Sequence, residues 1–279
     1  MALDFSIFQD PIDELTMQHG QLFVQTGHNE LLAIAGIILV IYTLKHGLSG
    51  GLMEFLVQFG VMFTVANLLL KYYYQPLDFL HTNLSLHQLF PALADYYATQ
   101  IDQGRMDILF NSMTKTLFLM DKPGIADWAM ILVSWCTEGA IWFLQAFCYG
   151  SIAISYVCLG VMNLLGPLFI PWLIVPKVNY LFWNWLQSIW QYSFYRVVAT
   201  ALCFVASGVW TEFESRLIHG NYSLANFSAI LPMMIAVDLA LVWSVLRIGT
   251  MVSDLFKGGS AAATNFLGSI ASGARGIFH

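Results

Sequence analysis

The stretch AMILVSWCTEGAIWFLQAFCYGSIAISYVCLGVMNLLGPLFIPWLIV, from Ala129 to Val175, holds 47 residues and one charge, Glu138. As a single straight helix it would measure about 70 Å at ~1.5 Å per residue. The hydrocarbon core of a bilayer is about 30 Å thick. The run must therefore hold two spans, or one long helix followed by a re-entrant piece. Gly166, Pro167 and Pro171 crowd its second half, and Pro176 follows at once. Proline lacks the N–H that a helix needs and clashes with the previous turn. Broken backbone at membrane depth is tolerated only against protein or a water-filled cavity.

The rest of the chain agrees with a membrane reading. Of 279 residues, 58% are hydrophobic and only 10% are charged. A soluble domain carries about 25% charged residues. So few charges cannot cover a soluble enzyme of this length, and disorder needs the opposite composition. The predicted class is all-α: a polytopic transmembrane helix bundle of about five crossings plus a broken or re-entrant element, with a helical external loop.

Working outward, residues 1–30 form an acidic N-terminal segment with Asp4, Asp10, Asp13, Glu14 and Glu30 and no base. It lacks the basic start and apolar core of a cleavable signal peptide. A first transmembrane hairpin is expected over residues 31–70, its first span beginning near Glu30. Tyr72, Tyr73 and Tyr74 then resemble an interfacial aromatic belt. Residues 71–127 form the predicted external loop domain. Within it Met106, Leu109, Phe110, Met113, Leu117 and Met120 recur at helical spacing. That face either lies on a membrane or partner, or packs on the chain's own loop domain. Residues 128–250 form the main bundle, broken at 164–177, and 251–279 a Gly/Ala/Ser-rich tail. The positive-inside rule places the base-free N-terminus outside the cytoplasm and Lys177, Arg247, Lys257 and Arg275 inside.

Glu138, Arg196 and Asp238 stand alone in apolar surroundings. A charge at the centre of a span costs at least about 2.5–3.5 kcal/mol on insertion scales. These three residues either line a translocation path or form a buried ion pair, Arg196 with Asp238 or with Glu138. Trp128, Trp135 and Trp142, spaced by sevens, share one helix face. A stripe of this kind reads as a packing seam with a neighbouring helix or subunit. No P-loop, metalloprotease or serine-hydrolase signature occurs, and the Cys and His residues show no metal-ligand spacing. The expectation is a protein without catalytic, cofactor or metal sites. The net charge of −6 leaves no standing cationic groove for nucleic acid.

The segment Leu164-Leu-Gly-Pro-Leu-Phe-Ile-Pro-Trp-Leu-Ile-Val-Pro176, followed by Phe182-Trp-Asn-Trp-Leu-Gln187, resembles the TrbL-type family. These are polytopic inner-membrane subunits of bacterial type IV secretion and conjugation machines. The family pattern is a Gly/Ala-Pro-Leu-Phe run, an aliphatic stretch ending in Pro, and Trp-Leu a few turns on. Gly166, Pro167, Phe169, Pro176, Trp185 and Leu186 occupy those places. Lys177-Val-Asn179 departs from the Thr and base that often follow the aliphatic run. The resemblance implies a non-enzymatic channel or scaffold subunit of the bacterial inner membrane. It would help translocate DNA–protein or protein substrates and nucleate a pilus or stalk. The implied partners are membrane lipid, further copies of the chain, and other machine subunits: stalk or pilus-tip proteins, a periplasmic scaffold and ATPase-associated inner-membrane proteins. DNA would be at most a transient substrate. The residues alone also admit a small-solute transporter or channel, which should show paired broken helices. A membrane-embedded enzyme using Glu138 and Asp238 is a third reading without a supporting motif.

Overall fold

The computed structural model describes residues 6–46, 52–77, 84–102, 104–124 and 127–256. Residues 47–51 and most of the 251–279 tail lie outside them. Among the described residues there are eight α-helices and no strand. They are α1 (Ser6–His46), α2 (Leu52–Lys71), α3 (Leu86–Asp102), α4 (Arg105–Leu119), α5 (Trp128–Phe169), α6 (Tyr180–Phe213), α7 (Leu224–Leu246) and α8 (Ile248–Phe256). Five helical stretches are long and apolar enough to cross a membrane: Asp10–Lys45, Leu52–Lys71, Trp128–Ile174, Tyr180–Ile218 and Leu224–Leu246. In lipid a helix satisfies its own backbone groups, so long apolar runs settle into helices. The chain is a multi-pass membrane protein.

Three boundaries differ from the sequence reading. The helix that carries the first span starts well before Glu30 and runs unbroken from Ser6. Its acidic residues Asp10, Asp13 and Glu14 are exposed, so they do not interrupt helical hydrogen bonding. The Ala129–Val175 run is one helix that continues through Gly166 and Pro167. It tightens to a 3-10 turn only at Ile170–Ile174. The loop between α2 and α5 carries two helices, not one. Pro91 is read from sequence as punctuation, yet it lies inside α3.

The chain forms two compact units. One comprises the described residues within 8–93, 157–193 and 253–256, and the other those within 6–7, 94–156 and 194–252. In the first, α1 and α2 pair through stacked Tyr42 and Phe55, 3.6 Å between ring centroids. Leu31, Ala66, Leu70, Ile170, Leu173 and Ile189 are core residues there, and the 3-10 turn packs on α2. Gly27 brings α1 close to α5: a side chain at that position would collide with the Pro167 carbonyl.

In the second unit α4 packs on α5 and α6. Phe110 meets Tyr149 edge-on at 6.0 Å. Trp210 Nε1 donates to Ser112 Oγ at 2.9 Å, and Ser112 Oγ donates to Glu214 Oε2 at 2.5 Å. Met106, Leu109 and Met113 are buried, with Phe110 and Leu117 half-buried. The amphipathic face of α4 is therefore covered by the chain itself. A π-helical turn, Glu214–Ile218, ends α6 at His219 and Gly220, both with positive φ. Ser223 then caps α7 by accepting from the Asn226 N–H, an arrangement that satisfies one of the free donors of a helix start.

Candidate functional site

The motif residues converge in the first unit, and two prolines explain how. A proline at position i withholds the hydrogen bond due to the carbonyl at i−4. Pro167 thus frees the carbonyl of Asn163, and Pro91 frees that of His87. Both carbonyls find side-chain donors. Tyr73 Oη donates to Asn163 O at 2.7 Å. Asn163 Nδ2 donates to His87 O at 3.1 Å. A third donor, Trp185 Nε1, reaches Met162 O at 2.9 Å. The end of α2, the start of α3, the end of α5 and the start of α6 are fastened together by these bonds.

Tyr73 is only 1% exposed, so it is not part of an interfacial belt. Burial raises its pKa well above the ordinary phenol value, and neighbouring Tyr74 adds to this. The hydroxyl therefore stays a neutral donor. Gly166 makes its approach possible, because a Cβ there would overlap the Tyr73 hydroxyl and crowd the Trp185 ring. Trp185 also stacks on Phe169 at 6.5 Å. Leu186 packs against the same core, whereas Pro176 is exposed beyond the 3-10 turn. A cavity of about 90 Å³ adjoins the cluster, lined by Leu69, His87, Phe90, Asn163, Trp185 and Ile189 among others.

This cluster yields a double-mutant test. Tyr73→Phe should cost about 1–3 kcal/mol, because it strands a buried carbonyl. Pro167→Ala restores the backbone N–H, so Tyr73→Phe should cost far less in that background. Thermal melts of the four purified proteins measure the coupling. Equal costs in both backgrounds would remove the proline explanation.

His87 adds a pH dependence. Its Nδ1 lies 3.0 Å from the Tyr73 carbonyl and 2.8 Å from Ser85 Oγ. The Ser85 hydroxyl donates to Gln88 Oε1, so the network places the proton on Nδ1. Burial lowers the His87 pKa from 6.5, opposed in part by the Tyr73 hydrogen bond and the charge of Asp13. The unfolded chain then binds the proton at higher pH than the folded one. Stability is accordingly full above pH 6.5 and declines as pH falls through that value toward the lower folded pKa. His87→Gln should flatten the melting temperature between neutral and mildly acidic pH. An unchanged slope would assign the effect elsewhere.

The three isolated charges lie in the second unit and do not pair with one another among the described residues. Arg196 forms its ion pair with Asp95 of α3, not with Asp238 or Glu138. The guanidinium also lies over the Tyr156 ring, 4.0 Å from its centroid. Glu138 accepts from Ser134 Oγ one helical turn away, at 3.2 Å. Asp238 is buried, and its Oδ2 has no hydrogen-bond partner. The pairing with Asp95 escapes sequence reading because α3 itself is hidden there by Pro91. The signal for the Tyr73 contact was present: an interior proline marks the carbonyl four residues earlier as needing a donor.

A sequence model of a known family, described as TrbL/VirB6 plasmid conjugal transfer protein, matches residues 31–248. The chain belongs to the TrbL/VirB6 family. It is thus a component of a conjugal transfer or type IV secretion system. No curated protein matches it in sequence. The matched range of this TrbL/VirB6 chain includes the whole proline cluster and all three isolated charges. It also includes the Trp stripe of α5. Trp128, Trp135 and Trp142 are 81%, 71% and 62% exposed, so no helix among the described residues covers that seam.

Proposed function

We propose that this TrbL/VirB6 chain is an inner-membrane channel or scaffold subunit of its transfer machine. It helps pass DNA–protein or protein substrates across the inner membrane and helps nucleate the external pilus or stalk. It performs no catalysis and uses no cofactor; ATPases elsewhere in the machine drive transport. Its N-terminus faces the periplasm and its C-terminus the cytoplasm. DNA meets it only in transit.

The observation that carries this reading is the family match over 31–248. The uncovered Trp128–Trp135–Trp142 face of α5 supports assembly with other membrane subunits, further copies of the chain included. Tryptophan favours the membrane–water interface, but three residues spaced by sevens extend over about 21 Å of helix at ~1.5 Å per residue. They cannot all sit at one interface, and a protein neighbour suits the deeper ones better than lipid does.

The test is complementation. Deleting the gene should abolish plasmid transfer, and the wild-type chain should restore it. A tagged copy should bring down stalk and scaffold subunits. Trp135→Ala with Trp142→Ala should lower transfer at least about tenfold, as expected for loss of ~1.4 kcal/mol or more of association, while the protein still accumulates. Unaltered transfer after deletion, with no machine subunit recovered on the tag, would discard the reading.

A further inference from the structure

In the second unit, α5 turns a polar face inward. Ser134, Thr137, Gln145, Cys148, Ser151 and Ser155 are all buried, and their spacing places them within one face of the helix. Asp238 of α7 lies within electrostatic reach of Cys148 on that face. The Asp238 side chain is 5% exposed, and Oδ2 has no hydrogen-bond partner. It lines a cavity of about 10 Å³ together with Leu144, Ala206, Trp210, Phe213 and Met234. That volume is about the minimum that holds one water molecule.

Among the described residues, the titratable groups around this position carry no positive charge. Cys148 faces it from α5, and Cys203 of α6 hydrogen-bonds Cys148. Asp102 of α3 acts on Cys203. From α6 the cavity wall is Ala206, Val209, Trp210 and Phe213, and Arg196 is engaged by Asp95. An ionised Asp238 here would be a buried charge without a counterion, at a cost of several kcal/mol. One proton removes that cost.

We propose that Asp238 is a proton-binding site of the α5–α6–α7 bundle. The carboxyl holds a proton while it lies buried without a counterion. It releases that proton only when the bundle admits water or a cation to the carboxylate. Ligand and chemistry are thus defined: the ligand is H⁺, and the small cavity that Asp238 helps to line is its point of exchange. This inference does not depend on which substrate the machine carries.

The test uses the full chain in its native membranes and a hydrophobic carbodiimide, dicyclohexylcarbodiimide. The reagent needs a protonated carboxyl out of water. The acid proton passes to a carbodiimide nitrogen, the carboxylate oxygen adds to the central carbon, and nothing leaves. Peptide mass mapping should place the adduct on Asp238. Labelling should fall with rising pH, by about tenfold per pH unit once above the midpoint. A water-soluble carbodiimide should leave Asp238 unmodified, and Asp238→Asn should lack the adduct. The wild-type map stands by itself if that variant does not accumulate. Absence of the adduct overturns the proposal. So does equal labelling by the water-soluble reagent, which would make Asp238 a solvated carboxylate, and so does labelling that does not change with pH.

Discussion

Gly166→Leu should abolish accumulation of the folded protein, and Gly166→Ala should lower its stability by about 2–5 kcal/mol. These are the largest single-site effects expected for this chain. A Cβ on Gly166 would occupy the position of the Tyr73 hydroxyl and press on the Trp185 ring. The tyrosine must then retreat, and the Asn163 carbonyl loses the donor that compensates for Pro167. Two costs combine: overpacking in a filled core, about 1–3 kcal/mol, and a stranded buried carbonyl of similar size. For a chain of this length the alanine variant should melt roughly 5 to 15 °C lower in detergent. Gly36→Ala is the matched control. Nothing lies within 4 Å of a Cβ there, and alanine is the better helix former by about 1 kcal/mol. It should leave stability unchanged or raise it. If both alanine variants melt alike, close approach at Gly166 is not what the cluster depends on.

The second large effect concerns Arg196. Arg196→Ala should cost about 2–3 kcal/mol. Breaking a fully buried pair costs about 3–5 kcal/mol, but the Asp95 side chain keeps 35% of its exposure, and water screens part of the loss. The diagnostic experiment is the compensated pair. Arg196→Met combined with Asp95→Leu removes both charges and fills similar volume, so stability should return close to wild type. Arg196→Lys should fall between, because lysine keeps the charge but not the planar stacking over Tyr156. Melting curves of the four proteins in one detergent decide the matter. A double variant as weak as Arg196→Ala would mean that the pair is not the source of the loss.

Much of the fold is legible in the residues, for reasons that differ by element. The runs behind α2, α5, α6 and α7 are recognisable because lipid leaves the backbone no partner but itself. The period of Met106, Leu109 and Met113 marks α4, because burial of one face needs that spacing. The 3-10 turn near Pro171 follows from the proline cluster. What is lost is mostly hidden by residues with two meanings. Pro91 ends helices in most settings, yet α3 continues through it because Asn163 serves the freed carbonyl. The acidic residues at the start of α1 look like a soluble segment, though exposed carboxylates do not prevent a helix. Tyr73 has the position of an interfacial residue and the environment of a core residue.

The site divides in the same way. Gly166, Pro167, Phe169, Trp185 and Leu186 stand close enough in sequence for their pattern to point to a family. The partners that give those residues their roles do not. Tyr73 is 90 residues from Asn163, and Asp95 is about a hundred residues from Arg196. Neither separation carries any periodic signal.

By itself, then, the sequence determined the solvent: 10% charge and 58% hydrophobic residues require lipid around a helical bundle, since no other surface is consistent with them. It also determined where hydrogen bonds would be missing, because proline withholds its N–H wherever it occurs. Only the tertiary structure decided which groups supply the missing bonds and which acid neutralises Arg196. Those answers depend on distances between helices, and side-chain hydrogen bonds and ion pairs reach only a few ångströms.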